Sequence, residues 1–320
     1  MNRKPSGDEM KRALITGSEG FIGSHLKNLL ESDGYDVWCS TQDAEKRSPA
    51  LIDRTLLCDV RDAQQVELAL RESNPDVIYH LAAQSYPTVS WTDPHTTLDT
   101  NVMGTVNIFE AVRRLEIDPI VIVACSSAEY GFVRPDETPV SESHELKPLH
   151  PYGVSKVAQD LLTYQYHANY GIRGVRARIF NTTGPGKVND VVSDFCKRVV
   201  EVELGQRERI THGNLDARRD ITDVRDMSRA LQACENAAFG EAYNLCSNVA
   251  YTIEDILSII IESSTTDVEA VLDPALIRPT DEPIIMGDNT KFKSKTGWSP
   301  VVPLQVTIVD TLEFFRDAHQ

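Results

Sequence analysis

Thr16-Gly17-Ser18-Glu19-Gly20-Phe21-Ile22-Gly23 closes a short apolar run, Arg12–Thr16, and opens a segment, residues 21–31, with helical periodicity. Its glycines stand at 17, 20 and 23, a G-x-x-G-x-x-G spacing. A strand that turns into a helix through such glycines has the form of a dinucleotide-binding loop. Gly17 permits the tight turn, Gly20 lets a pyrophosphate approach the backbone, and Gly23 lets the helix pack closely on the strand. Phe21 and Ile22 begin a helix whose unpaired N–H groups and positive dipole end face the pyrophosphate. A turn without a ligand is the plainer alternative, and the strand before and helix after the loop argue against it.

Outward from this loop, short β-like runs alternate with helical patterns. Strands are expected near 36–39, 55–58, 77–82, 120–125 and 174–179. Helices are expected over 63–72, 96–115 and 151–170. This alternation predicts an α/β fold, a doubly wound parallel sheet of the Rossmann kind. After Asn181 the pattern changes. A turn at 183–186, a helix over 191–204 and a mixed remainder suggest a smaller α/β substrate domain. The expected division is 11–181 for the dinucleotide-binding domain, with a strand near 242–246 returning to the sheet, and 182–320 for most of the substrate domain.

Composition narrows the function. The 320 residues are 41% hydrophobic and 25% charged, as in ordinary globular proteins, and the net charge is −16. Such a surface repels nucleic-acid phosphates and anionic lipid, and no basic cluster offsets it. Neither nucleic acid nor membrane is therefore expected as a partner. The first dozen residues are polar and no stretch of about 18 apolar residues occurs, so the reading is cytoplasmic. Six cysteines stand singly, with no C-x-x-C pair and no zinc spacing, which predicts buried thiols and no metal.

The cofactor's phosphate preference stays open at this level. Asp43 lies 20 residues past Gly23, the distance at which a carboxylate grips the ribose of NAD, but beyond the expected strand end at Ser40 or Thr41. Lys46 and Arg47 would instead suit the extra phosphate of NADP. Asp59, followed by Val60 after the third strand, could accept from the adenine amino group or cap the next helix.

Tyr152-Gly153-Val154-Ser155-Lys156 places a phenol and an amine four residues apart, on one helix face. A lysine cation lowers the pKa of a neighbouring phenol, which could then exchange a proton with a sugar oxygen. Ser126, at the end of the fifth strand, would add a hydroxyl. The three form the candidate catalytic set.

With these residues in place, the sequence resembles the extended short-chain dehydrogenase/reductase family. The resemblance runs in order through Thr16–Gly23, Asp59-Val60, His80-Leu81-Ala82-Ala83, Asn101, Ser126, Tyr152/Lys156 and Arg219-Asp220. It implies NAD or NADP as cofactor, with Leu81, Ala82, Ala83 and Asn101 lining the cleft or supporting its helix. Tyr79–Ser85, Gly213–Asp220, Arg278-Pro279-Thr280 and Thr296–Pro300 are similar to the branch that makes deoxysugars from GDP-mannose. That branch implies a nucleotide-sugar partner, most simply a GDP-sugar, and a homodimer formed through helices 96–115 and 151–170. It also implies Ser85, Ser127, Glu129, Asn181, Arg219 and Arg278 as substrate contacts, with guanidinium forks suited to the diphosphate. The dehydratases of the branch carry a Glu two residues after the catalytic Ser/Thr. Here that position is Ala128, and Glu129 stands one place later. The departure favours a reductase that delivers hydride to C4, with Tyr152 as proton donor, over a 4,6-dehydratase or an epimerase.

Overall fold

The computed structural model describes residues 10–43, 54–277 and 283–318. Seven strands form one parallel sheet: β1 (Arg12–Thr16), β2 (Asp36–Thr41), β3 (Thr55–Leu57), β4 (Val77–His80), β5 (Ile120–Ser126), β6 (Arg173–Ile179) and the later β10 (Ala242–Leu245). Their order is β10-β6-β5-β4-β1-β2-β3. β1 pairs with β2 on one side and β4 on the other, Thr16 lying opposite Ser40 and His80. The chain therefore reverses its direction of travel at β1, and the crevice at the strands' carboxyl ends is where this fold binds ligands. Helices cover both faces, so β4 and β5 are buried along their whole length and read as continuous apolar runs, not as alternation.

The covering helices are α1 (Phe21–Ser32), α2 (Ala63–Ser73), α3 (Pro87–Thr92), α4 (Pro94–Leu98), α5 (Gly104–Arg114) and α6 (Pro151–Tyr170). Helix α6 keeps the limits expected from sequence because its ends are chemically marked. His150 Nδ1 accepts from Gly153 N at 3.0 Å, Pro151 fills the first turn, and Gly171 ends the helix at φ 69°. The single helix expected over 96–115 is not continuous. Between α4 and α5 lies one π-helical turn, Asp99–Met103. Such turns insert an extra residue into a helix and often mark functional sites. Here it holds buried Asn101.

The chain clusters into two compact units. The first contains the described residues up to Gly131, Leu146–Arg178 and Ser228–Tyr243. The second contains Phe132–Glu145, Ile179–Met227 and the described residues from Asn244 onward. In the second unit β9 (Arg218–Asp223) pairs with β7 (Asn181–Thr183) and β13 (Ile284–Ile285) in parallel, and with β11 (Ala250–Thr252) antiparallel. β8 (Ile210–His212) and β12 (Ala270–Leu272) form a separate parallel pair. Helices α7 (Val191–Glu203), α9 (Ile253–Glu262) and α11 (Leu304–Asp317) bury Val199, Ile256, Ile260, Ile308 and Leu312 in one cluster. Helix α8 (Val224–Ala233) runs from one unit to the other, and α10 (Thr290–Thr296) ends at Gly297, φ 75°. The family-like segment Thr296–Pro300 has a packing role: Trp298 is buried and its indole N–H donates to Asp226 O at 3.2 Å.

Candidate active site

The glycine loop is shaped by approaches that a side chain would block. Gly17 has φ +73°, and a Cβ there would stand 2.8 Å from Ala82 N. A Cβ on Gly23 would lie 2.3 Å from Gly17 O, and one on Gly20 3.2 Å from the same oxygen. Gly20 is the N-cap of α1, so no side chain caps that helix, and its first turn, opened by Phe21 and Ile22, carries no acidic residue. Bare backbone at a helix N-terminus fits a pyrophosphate. The residues present thus suit a dinucleotide.

At the end of β2, Thr41 Oγ1 donates to Glu19 Oε2 at 3.0 Å and accepts from Asp43 N at 3.1 Å. A carboxylate from the glycine loop therefore lies against the strand end where the adenosine ribose is held in this fold. Glu19 stands inside the glycine motif itself, not about 20 residues past it where the ribose carboxylate of this fold is expected. Lys46 and Arg47 lie outside the described residues. Asp59 is not the cap of α2; Asp62 is, accepting from Gln64 N and Gln65 N. The Asp59 carboxylate is gripped by Arg61, with Nη2 at 2.6 Å, which holds its pKa below the usual range. Val60 is buried, and its carbonyl accepts from Asn107 at 2.8 Å.

The loop after β4, carrying half-buried Leu81, Ala82 and Ala83, is fixed by a buried polar chain. Thr16 Oγ1 meets His80 Nδ1 at 2.9 Å and accepts from Ala82 N at 3.2 Å. His80 Nε2 meets Thr105 Oγ1 at 3.1 Å, and Gln159 Nε2 donates to the same oxygen at 2.7 Å. Burial, aided by the Lys156 charge, pushes the His80 pKa down to about 3, so the imidazole is neutral across the working range. Asn101 is fully buried and ties the loop after β4 to α6. Its Oδ1 accepts from Gln84 N at 2.8 Å, and its Nδ2 donates to Gln84 O at 3.1 Å and Ser155 Oγ at 2.8 Å.

Ser126, Tyr152 and Lys156 come together. Ser126 ends β5 and caps the short 3-10 turn of residues 127–129, accepting from Ala128 N at 3.2 Å. Its side chain lies close enough to the Tyr152 phenol to draw that pKa down. Gly153 lets α6 close on that turn, since a Cβ would stand 2.7 Å from Ala128 O. Lys156 Nζ donates to Ala124 O at 2.7 Å and lies 5.7 Å from the centre of the Tyr152 ring. One expectation needs correction. Lys156 was expected to lower the phenol's pKa. Burial dominates instead: it raises Tyr152 to about 12 and lowers Lys156 to about 8. The phenol therefore holds its proton at neutral pH. His150, which sequence reading missed, stacks on Tyr152 with ring centres 5.8 Å apart. A histidine before a Pro-Tyr helix start was its only signal.

The candidate substrate contacts are scattered in kind. In the first unit Ser85 is exposed and Ser127 half-buried. Glu129 departs from expectation: it is fully buried. Its Oε1 accepts from Ser126 N at 2.9 Å, and its Oε2 lies 3.3 Å from Arg178 Nε. It therefore cannot serve as a substrate contact. In the second unit Asn181 is exposed and its Nδ2 donates to Asp220 O at 3.2 Å. Half-buried Arg219 donates to Arg218 O at 2.9 Å. Arg278 lies outside the described residues. Asp220, next to Arg219 in the family-like segment, is a buried loop anchor. It accepts from Ser247 N, Ser247 Oγ, Asn248 N and Gly287 N, and burial raises its pKa to about 6.

Comparison with known proteins agrees with this geometry. Residues 14–311 match the family described as GDP-mannose 4,6 dehydratase. GDP-6-deoxy-D-mannose reductase of Pseudomonas aeruginosa is 28% identical over 301 residues, 93% of this chain and 95% of that one. The structure of RMD from Pseudomonas aeruginosa complexed with NADPH has a TM-score of 0.85 at 25% identity, covering 96% of this chain and 100% of that one. The UDP-glucose 4-epimerase of Thermus thermophilus in complex with NAD has a TM-score of 0.83 at 28% identity, covering 96% and 99%. Among the described residues no helix is long and apolar enough to cross a membrane. The glycine cradle, the Ser–Tyr–Lys set and a match over nearly the whole chain make one conclusion: this chain belongs to the GDP-mannose 4,6-dehydratase family of extended short-chain dehydrogenases/reductases, enzymes that use NAD or NADP.

Proposed function

We propose that this chain reduces the C4 ketone of a GDP-4-keto-6-deoxyhexose to an alcohol, with NADH or NADPH as reductant. The observation that carries the reading is the character of residues 128 and 129. A 4,6-dehydratase must remove the C5 proton and protonate the departing C6 hydroxyl, a task for a positioned acid/base, which in the dehydratases of the branch is the Glu two residues after the catalytic Ser/Thr. Ala128 supplies none, and the Glu129 carboxyl is turned into the protein against Ser126 N–H and Arg178. Ketone reduction needs no such acid. The name of the Pseudomonas aeruginosa relative supports the same choice.

Gly17, Gly20 and Gly23 would hold the pyrophosphate of the reduced cofactor, which when bound would supply the hydride for C4. Tyr152, protonated because burial lifts its pKa to about 12, gives its proton to the oxygen on C4. The C=O becomes CH–OH, the cofactor is oxidised by two electrons, and solvent restores the phenol's proton. Ser126 hydrogen-bonds the same oxygen, and the Lys156 ammonium stabilises the phenolate left behind. The product is a GDP-6-deoxyhexose such as GDP-D-rhamnose. Arg219, Asn181 and Arg278 are proposed for the nucleotide diphosphate, and Ser85 and Ser127 for the sugar. The working form is proposed to be a homodimer, because α6 exposes Val154, Leu161 and Tyr164 along one side.

Product analysis tests the reading. The protein is incubated with GDP-mannose alone, and separately with GDP-4-keto-6-deoxymannose plus NADH or NADPH. Oxidation of the reduced cofactor with the keto sugar only is the expected result. Formation of a keto sugar from GDP-mannose without added reductant would refute it.

A further inference from the structure

Beneath the Ser–Tyr–Lys set lies a buried ionic cluster that the proposed reaction leaves unused. Glu129 and Asp160 are both fully buried. Arg178 stands between them, with Nε 2.9 Å from Asp160 Oδ2 and 3.3 Å from Glu129 Oε2, and with Nη1 donating to Tyr130 OH at 3.0 Å. Arg176 Nη1 meets the other Asp160 oxygen at 2.7 Å. Cys125, Glu129 and Asp160 present ligand atoms within 4.8 Å of one another, a donor set that suits a cation, and the Arg178 guanidinium supplies one. An ion pair taken wholly out of water gives little net stability, and removing one partner is costly.

The cluster's attachments suggest a role other than stability. Glu129 is bonded to the backbone N–H of Ser126. Asp160 stands one helical turn after Lys156 on α6. Arg178, on β6, bridges the two carboxylates and so links the strand end carrying Ser126 to the helix carrying Tyr152 and Lys156. The groups facing Lys156 are Tyr152 on its own helix, His80 on β4, Cys125 on β5 and Glu129 on the turn after it. Those facing Glu129 are Asp160, Arg178, Lys156, Cys125 and Tyr152.

We propose that Glu129 is a positioning residue: through Arg178 and Asp160 it fixes Ser126 relative to α6, and its carboxyl group, where ionised, offsets the buried Lys156 ammonium. Burial drives Lys156 toward the neutral amine, whereas Cys125 and then Glu129 oppose this. Burial and Asp160 push the Glu129 carboxyl up, and Arg178 holds it down. The net shift is upward, to about 8, so Glu129 carries its charge beside Lys156 only as the pH rises toward that value.

The inference rests on the proposed Ser–Tyr–Lys set, but its main test does not depend on turnover. Lysine labelled with 13C at Cε is introduced, the Lys156 resonance is assigned by its loss in Lys156→Met, and its titration is followed by NMR. Glu129→Gln retains an acceptor for Ser126 N–H and removes the charge. The Lys156 midpoint is expected to fall by roughly half a pH unit or more. Glu129→Asp keeps the charge and should keep the midpoint, while its shorter reach to Ser126 lowers kcat about tenfold. With the keto sugar as substrate, the alkaline limb of kcat should follow the Lys156 midpoint in each variant. A midpoint shift of less than about 0.2 in Glu129→Gln would overturn the proposal. If that variant does not fold, wild-type kcat in Glu129→Asp would overturn it instead. A shifted midpoint in a protein that does not reduce the keto sugar leaves the positioning role standing and refutes the proposed reaction.

Discussion

Two glycines with nearly the same backbone conformation give a matched test of the cofactor cradle. Gly17 has φ +73° and Gly34 has φ +79°. Alanine at either position must adopt the left-handed region, at about 1–2 kcal/mol. Around Gly34 nothing lies within 4 Å of a new Cβ, so Gly34→Ala meets that strain alone. At Gly17 the Cβ stands 2.8 Å from Ala82 N and 2.9 Å from Ala82 Cα. These are backbone atoms that cannot rotate away, and Thr16 and His80 hold their loop from below. Gly17→Ala therefore adds an overpacking cost of about 1–3 kcal/mol. At about 2 °C per kcal/mol for a chain of this size, Gly34→Ala should lower Tm by about 2–4 °C and Gly17→Ala by about 4–10 °C. Moving the glycine loop away from Ala82 also displaces the backbone proposed to receive the pyrophosphate. NADH affinity, read by fluorescence titration, should fall at least tenfold in Gly17→Ala, about 1.4 kcal/mol, and stay within about twofold of wild type in Gly34→Ala. Equal effects of the two substitutions on both Tm and NADH affinity would refute the account, since only the Ala82 contact distinguishes them.

Two other outcomes are expected. Glu19→Gln removes a carboxylate from the end of β2, so the affinity ratio of NADPH to NADH should rise by about tenfold in direct titrations; an unchanged ratio would place the adenosine ribose elsewhere. The wild type should sediment as a dimer at micromolar concentration, and Leu161→Glu together with Tyr164→Glu should give a monomer, because two charges cannot be buried unpaired in an apolar contact. A monomeric wild type would remove the dimer from the reading.

Local chemistry alone determined much of this protein. Buried strands announce themselves as apolar runs, and the limits of α6 were readable because the groups that set them, Pro151 at its start and Gly171 just past its end, are local. The glycine loop was readable for the same reason: its three glycines answer to contacts within a single strand-turn-helix unit and the loop beside it. The Tyr152–Lys156 pairing needed only helical spacing. Tertiary structure decided what depends on distant partners. The break at Asp99–Met103 follows from Asn101 reaching Gln84 and Ser155, residues 17 and 54 positions away. The role of Asp220 depends on Ser247, Asn248 and Gly287, 27, 28 and 67 positions away, folding onto it. Glu129 looks like a substrate carboxylate until β6 brings Arg178 beneath it. Periodicity reports which face of an element is buried. Which charge meets which across the layers, and hence whether burial or a neighbour sets a pKa, is fixed only when strand order and register place those elements side by side.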